Sequence, residues 1–473
     1  MPNIAAIDVG SNAIRLLLLS FNRYGIEKKQ RFVRYPLRLG ADVFASQYIQ
    51  PKTTFQLLEI FSDIATRIKK ANIEHYRAVA TSAMRDAKNG RELTQHILKK
   101  TMINVEIISG REESNLSKSA LLQAVGHVSP LPLLIDLGGG SLEIEHANKT
   151  KGKSLPFGTI RIAAQHPKLC AVIKTIDLEN ETEKICQKIR KRLPKKEVTP
   201  LAIGTGGNLD VLSKLIPHQQ SELSSIDVKK LDALAKDLGK LTIKERQKIY
   251  ALRSDRADII LPAVVIIQAL ARIYGIKKII VPGTGLREAL LEKISTDIAR
   301  TQIENLIKPP KGKIKLDLKS INRLVDLFSQ LKPIHHLWGS ALELCLQAVF
   351  YHAQILPTAP PTADGKNIKN PPWLSQAKKR DLNYILSQTK PKQSGKHPAP
   401  PNQDHRQACD KIAAICALHL WHESRPPSQA PEISFENQTV IIKFAYQATP
   451  PKYLKNTLEH ALKRKIKFSY KRS

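Results

Sequence analysis

The stretch Leu134-Ile135-Asp136-Leu137-Gly138-Gly139-Gly140-Ser141-Leu142-Glu143 constrains this chain more than any other. An apolar run into an aspartate, three glycines, a hydroxyl and a carboxylate reads as a buried strand closed by a glycine turn. Three successive residues without Cβ let backbone N–H groups gather round an anion as a concave cluster of donors. An aspartate at the strand end would repel a bare phosphate, so the pattern calls for a divalent cation between the two. The same grammar stands 128 residues earlier in Ile4-Ala5-Ala6-Ile7-Asp8-Val9-Gly10-Ser11-Asn12: apolar strand, Asp, Gly, Ser. Two such hairpins point to a duplicated fold gripping one phosphate chain between its halves. A pair of ordinary glycine-rich turns is the alternative, and the matching Asp and Ser weigh against it.

The rest of the first 300 residues alternates strands with helices. Apolar positions in Thr53–Lys70 repeat at helical spacing. A strand over Tyr76–Ala80 leads to Thr81-Ser82-Ala83-Met84-Arg85, and Val105–Ile108 leads to Ser109-Gly110-Arg111-Glu112-Glu113, with helix expected from Leu116. After the second hairpin, a helix is expected near Asp177–Leu193. Pro200–Ile203 then feeds Gly204-Thr205-Gly206-Gly207-Asn208, a glycine turn opening a helix and a ready anion site. Pro282-Gly283-Thr284-Gly285 is a third glycine loop. Polar loops at strand C-termini are the mark of an α/β fold with its site at that edge.

Composition shifts near residue 300, where Pro309-Pro310-Lys311-Gly312 reads as a linker. Helical patterns cover Leu316–Leu331, Leu337–Gln354 and Cys409–Trp421. Proline- and lysine-rich loops fall at Pro357–Pro372 and Lys390–Pro401. Strands are expected within Ile433–Tyr446, then a basic helix from Lys452. Four parts follow: α/β domains over 1–125 and 126–300, a helical domain over 301–430, and a small basic segment over 431–473.

Charge narrows the partner. The formal net charge is +33 over 473 residues, and residues 301–473 hold 27 Lys and Arg against 12 Asp and Glu. Such a balance seeks a polyanion: nucleic acid, an anionic membrane or a phosphate polymer. Aromatics make up 5 % of the chain with no interleaved basic array, which disfavours single-stranded nucleic acid. Five cysteines without a CxxC pair fit free thiols in a reducing, cytoplasmic setting. The longest apolar stretch, Ile259–Ala271, contains Pro262 and Gln268 and is too short to span a bilayer.

With these motifs assembled, the first 300 residues resemble the exopolyphosphatase / guanosine pentaphosphate phosphohydrolase family. Seven blocks occur in that family's order. They are Asp8–Asn12, Ala80–Arg85, Ile108–Glu113, Ile135–Ser141, Gly204–Gly207, Arg256–Pro262 and Gly285–Glu288. The resemblance implies duplicated actin–hexokinase–Hsp70-like (ribonuclease H-like) domains, followed by a mainly helical HD-like domain. It also implies a homodimer that hydrolyses terminal phosphoanhydride bonds of inorganic polyphosphate, or converts pppGpp to ppGpp. The net charge favours the polymer. Departures are Ser114-Asn115 for Ala-Arg, Leu142 for a threonine whose hydroxyl would sit near the phosphates, and Asn208 for Thr. No Asp follows His352, which deprives an HD-type site of its acidic ligand and leaves that domain a structural or polyanion-binding role. These departures keep a catalytically weak polyphosphate- or RNA-binding protein in view.

The resemblance makes Glu113 the base that activates water, with Glu143 either a second metal contact or an alternative base. A solvated Glu112–Glu113 pair at a helix start is the bland alternative. Asp8 and Asp136 would hold Mg²⁺, which prefers few carboxylates and several waters. Phosphates would rest on Gly10, Ser11 and Asn12, on Gly138, Gly139, Gly140 and Ser141, on Gly204, Gly206 and Gly207, and on the Arg85 fork. Arg15, Arg34 and Arg161 are secondary candidates for the substrate channel.

Overall fold

The computed structural model describes residues 3–21, 27–125, 132–147, 152–193, 198–217, 223–307, 324, 327, 403–423, 432–436, 439–444, 450 and 452–470. Its first half runs β1 (Asn3–Val9), β2 (Ile14–Phe21), β3 (Glu27–Tyr35), α1 (Leu39–Ser46), α2 (Pro51–Lys70), β4 (Ile73–Ala80), α3 (Ser82–Asp86), α4 (Gly90–Thr101), β5 (Val105–Ile107) and α5 (Gly110–Val125). The second half runs β6 (Leu133–Leu137), β7 (Leu142–His146), β8 (Lys153–Leu155), α6 (Thr159–Gln165), α7 (Thr175–Arg192), β9 (Leu201–Thr205), α8 (Gly207–Leu215) and β10 (Ser225–Asp227). It closes with α9 (Leu231–Gly239), α10 (Ile243–Ile249), α11 (Ser254–Ala257), α12 (Ile260–Tyr274), β11 (Lys278–Ile280) and α13 (Leu286–Ile307).

Duplication is explicit in the sheets. The first is ordered β3-β2-β1-β4-β5 and the second β8-β7-β6-β9-β11, with β10 added at its edge. In each, an antiparallel meander supplies the first three strands, and the next strands run parallel to the first. β1 is buried on both faces, as its unbroken apolar run requires. α2 starts on Pro51 at its first turn, buries Leu57, Phe61 and Ile64, and ends on basic residues.

The closing helices change sides. α5 follows the first sheet but packs on β6, β7, β8 and β9, burying Leu121 with Leu134, Ile203 and Ile280. α13 follows the second sheet and returns to β1 and β4, burying Leu290, Leu291 and Ile294 against Ile4, Ala6 and Leu17. Each half therefore completes the other's core across the cleft.

Ser254–Tyr274 is long and apolar enough by composition to cross a membrane, longer than the run picked out by sequence. It is 89 % buried inside the molecule, as a core helix would be. Near the C-terminus, a helix over Gln403–Glu423 encloses the expected Cys409–Trp421. β12 (Glu432–Glu436) and β13 (Thr439–Phe444) form the expected hairpin, and a helix covers Lys452–Leu462. The strand β14 (Lys465–Tyr470), parallel to β13, was not signalled by its basic sequence. The expected helices over 316–331 and 337–354, the loops over 357–372 and 390–401, and the His352–Ala353 step lie outside the described residues.

Candidate functional site

Both hairpins close in the same way. Gly10 N–H donates to Ala13 O at 3.1 Å, and Gly138 N–H donates to Ser141 O at 3.1 Å. In the first, Asp8 stands opposite Arg15 and accepts from its Nη1 at 2.6 Å. In the second, Asp136 stands opposite Glu143. Parallel strands deliver the next layer. β4 brings Thr81-Ser82 beside the first turn, where Ser82 Oγ lies 3.0 Å from Ser11 Oγ. β9 brings Thr205-Gly206-Gly207 beside the second. Gly206 has φ +113°, and a Cβ there would overlap Leu137 O. Gly140 meets the opposite hairpin, where a Cβ would overlap Ser82 Oγ and come within 2.8 Å of Ser11 Oγ.

Between the halves is a cavity of about 730 Å³. Its wall carries Asp8, Gly10, Ser11, Asn12, Glu113, Asp136, Gly138, Gly139, Gly140, Ser141, Gly206 and Gly207, as sequence placed them at one site. Three expected residues are not on this wall. Gly204 lies within β9, hemmed in by Leu209 and Ile279, so its missing Cβ serves packing rather than phosphate. Glu143 is 2 % exposed and sits behind the wall, where Ser154 Oγ donates to Oε1 at 2.8 Å and Oε2 has no partner. Arg85 lies on the far side of Glu113 and donates through Nη1 to Ile108 O at 2.8 Å and Glu113 Oε2 at 3.4 Å. The expectation for Leu142 also needs correction. Its side chain is fully buried in the core with Leu137 and Ile144, so position 142 offers the phosphates nothing.

α5 starts earlier than its apolar pattern indicated, because Ser109 Oγ accepts from Glu112 N–H at 3.1 Å and caps the first turn. Glu112 turns outward to Arg77 at 2.8 Å, while Glu113 turns into the cleft and is buried. The helix is pinned by Ser117 Oγ donating to Asp136 Oδ2 at 2.5 Å and by Lys118 Nζ meeting Glu145 at 2.5 Å. Burial, then repulsion from Glu143, Asp136 and Asp8, pushes the Glu113 carboxyl well above the usual range, against the pull of Arg85. Burial and Asp136 push Glu143 up to about 8, against hydrogen bonds from Ser141 and Ser154. Burial raises Asp136 too, opposed by the Ser117 hydroxyl and reinforced by Asp8. The site thus concentrates carboxylates whose charged forms are held at a cost.

Cations line the other side. Arg15 and Arg34 reach the cavity, joined by Lys214, Arg253, Arg256 and Arg287. Arg161 does not: it holds Gly140 O at 2.9 Å and pairs with Asp86. Arg256 is buried and donates to Asn208 Oδ1 at 2.9 Å, and Asn208 in turn donates to Thr159 Oγ1 at 2.9 Å. Burial and neighbouring Arg15 lower the Arg256 pKa to about 9, although Asp255 pulls the other way. Asp255 accepts from Asn12 Nδ2 at 3.1 Å and pairs with Arg34, linking the two halves across the cleft. Sequence reading marked Arg256 only as part of the Arg256–Pro262 block and missed the rest of this layer, Lys214, Arg253 and Arg287.

Two facing glycine hairpins, a buried glutamate and a cationic wall define a phosphate-handling enzyme cleft. The signature of the Ppx/GppA phosphatase family matches residues 33–296, more than half of the chain, and the chain belongs to that family of phosphatases. Exopolyphosphatase 1 of Mycobacterium tuberculosis is 23 % identical over 320 residues, which is 63 % of this chain and 90 % of the relative. Exopolyphosphatase 2 of the same organism is 27 % identical over 299 residues, covering 58 % and 91 %. The fold is shared with the Aquifex aeolicus family member (22 % identity, TM-score 0.51, 64 % of this chain and 99 % of that one). It is also shared with an exopolyphosphatase from Cytophaga hutchinsonii (23 % identity, TM-score 0.51, 61 % and 96 %).

Proposed function

We propose that this chain is an exopolyphosphatase of actin-like architecture, cleaving the terminal phosphoanhydride bond of inorganic polyphosphate to release orthophosphate. The observation that carries this reading is the buried Glu113 carboxylate facing a cleft whose hairpins present backbone donors from both halves. Amides of Gly10–Asn12 and Gly138–Ser141, with the Ser11 and Ser141 hydroxyls, hold successive phosphates. Gly206 and Gly207 add backbone surface at the head of α8. Glu113, its proton affinity raised well above the ordinary carboxyl range by burial, orients a water and takes its proton as the water oxygen bonds to the terminal phosphorus. The bridging P–O bond breaks, leaving orthophosphate and a chain shorter by one unit. Arg85 fixes the Glu113 carboxylate and balances its charge.

Mg²⁺ fits the donor set. Asp8 and Asp136 reach the cleft from opposite halves, while burial, and then neighbouring carboxylates, raise Glu113, Asp136 and Glu143. Among the described residues no cluster of three His, Cys, Asp or Glu side chains forms a metal cage. A Mg²⁺ ion held by Asp8 and Asp136 would keep several of its waters. Bound there, it would neutralise phosphate charge. The arginine-rich wall and the net charge of +33 favour a polymer, which engages many cations at once. The test is orthophosphate release from polyphosphate of defined length, with and without Mg²⁺, beside pppGpp at equal concentration of ends. Faster turnover of pppGpp would shift the reading to the nucleotide, and release from neither would leave a binding protein.

A further inference from the structure

Behind Glu113 is a second cavity, of about 340 Å³, lined by Arg85, Gly110, Arg111, Gly152 and Ser154. None of the five lines the main cleft, and Glu113 lines only the main cleft. The Glu113–Arg85 contact at 3.4 Å is therefore the partition between the two spaces. Among the described residues, Arg85 hydrogen-bonds through Nη1, to Ile108 O and Glu113 Oε2. Its Nη2 lies toward Gly110, where an added Cβ would stand 3.8 Å away. That Cβ would also come within 2.6 Å of Ser154 Oγ, so the cavity keeps its shape only with glycine at 110. Arg111 is exposed on the first turn of α5 and brings a second guanidinium to the mouth. Glu143 and Glu145 lie behind Ser154 and Gly152 and do not face the space. The Ser154 hydroxyl is turned to Glu143, so the recognition falls to the two guanidinium forks, which suit a tetrahedral oxyanion.

We propose that this second cavity binds orthophosphate and, when the Arg85–Glu113 contact parts, is its exit from the main cleft. The inference rests on the exopolyphosphatase reading. After each cut, the shortened chain still fills the main cleft through which it entered. A released phosphate that had to leave that way would wait for the polymer to dissociate. An anion pocket on the opposite side of the base lets the product depart while the polymer advances by one unit.

The test uses the full-length protein with Arg111→Glu and Arg111→Lys. Arg111 touches neither the main cleft nor Glu113, and an acid in the first turn of a helix is compatible with folding. Orthophosphate should inhibit the wild type non-competetively with respect to polyphosphate. Arg111→Glu should weaken that inhibition about tenfold, equivalent to ~1.4 kcal/mol of binding, and shorten the run of successive cuts on long chains. Arg111→Lys should retain most of both. Purely competitive inhibition by orthophosphate, with the same inhibition constant in Arg111→Glu, would overturn the exit. Calorimetric titration with inorganic phosphate alone separates this from the functional reading. If the wild type released no phosphate from polyphosphate, the exopolyphosphatase reading would fail, while Arg111-dependent phosphate binding would still support the cavity as an anion site. Binding unchanged in Arg111→Glu would refute it.

Discussion

The hairpins β1–β2 and β6–β7 are built to one plan and charged in opposite ways. In each, an aspartate precedes a glycine turn and faces a charged residue seven positions on: Asp8 faces Arg15, and Asp136 faces Glu143. The first pair neutralises itself at 2.6 Å. The second places two carboxylates in register and adds Glu113 from α5 above them. Duplication therefore repeated the backbone device while the chemistry diverged. One arm carries its own counter-charge in Arg15, and the other concentrates carboxylates that a proton or a cation would relieve.

Removing the proposed base, Glu113, tests that division most severely. Glu113→Gln keeps the shape of the side chain but loses its basicity, and should lower kcat by ~10²–10⁴-fold while polyphosphate still binds. Single-turnover phosphate release measures it. Retention of more than about a third of wild-type turnover would remove Glu113 from this role.

The two aspartates should respond with opposite signs. Asp8→Asn leaves Arg15 without its anion and should cost ~1–3 kcal/mol, less than for a fully buried pair because the Arg15 side chain keeps 22 % exposure. Asp136→Asn relieves repulsion and should leave metal-free stability equal or higher, while both variants need more Mg²⁺ for half-maximal rate. Denaturant melts in chelator, beside Mg²⁺ titrations, decide this. Equal destabilisation by both would erase the asymmetry.

Glu143 sharpens the same contrast through pH. Its folded-state pKa of about 8 stands above the ordinary 4.5, so the folded chain holds a proton that the unfolded chain releases. Stability in chelator should therefore fall as pH rises from about 4.5 to about 8, and no further above that window. Glu143→Gln should flatten the slope, and thermal melts at about pH 5 and about pH 8 would show it. An unchanged slope would mean that Glu143 is ionised throughout.

The smallest effect on turnover is expected at a position where the hairpins agree. Ile14 and Leu142 each sit six residues after their aspartate and are fully buried. Leu142→Thr should cost ~1–3 kcal/mol of stability by burying a hydroxyl, with kcat changed less than about twofold. A several-fold gain in kcat would place that hydroxyl at the phosphates after all.

These contrasts mark where sequence reading succeeded. The strands and the glycine turns were legible because each depends on a local signal, and the repeat of one pattern pointed to a common cleft for Asp8, Ser11, Asp136 and Ser141. An apolar run makes a strand, and a glycine permits a turn. Gly204 misled for a related reason: it belongs to a glycine-rich string, yet the phosphate-facing bend begins only at Gly206, where φ turns positive. Leu142 misled because a residue beside a loop was read as part of the loop, whereas strand alternation sends it into the core.

By itself, then, the sequence determined a duplicated α/β scaffold with two Asp–Gly–Ser hairpins and a basic surface. Those features follow from period, backbone freedom and formal charge, all set within a few residues. Only the tertiary structure decided which of Glu112 and Glu113 enters the cleft. Adjacent residues on a helix point about 100° apart. Docking of α5 through Ser117 on Asp136 and Lys118 on Glu145 chose between them. It likewise set Arg256 against the cleft from 248 residues beyond Asp8, and left Arg85 on the far side of Glu113. Such facings arise from the register of strands and helices distant in the chain, which no local pattern encodes.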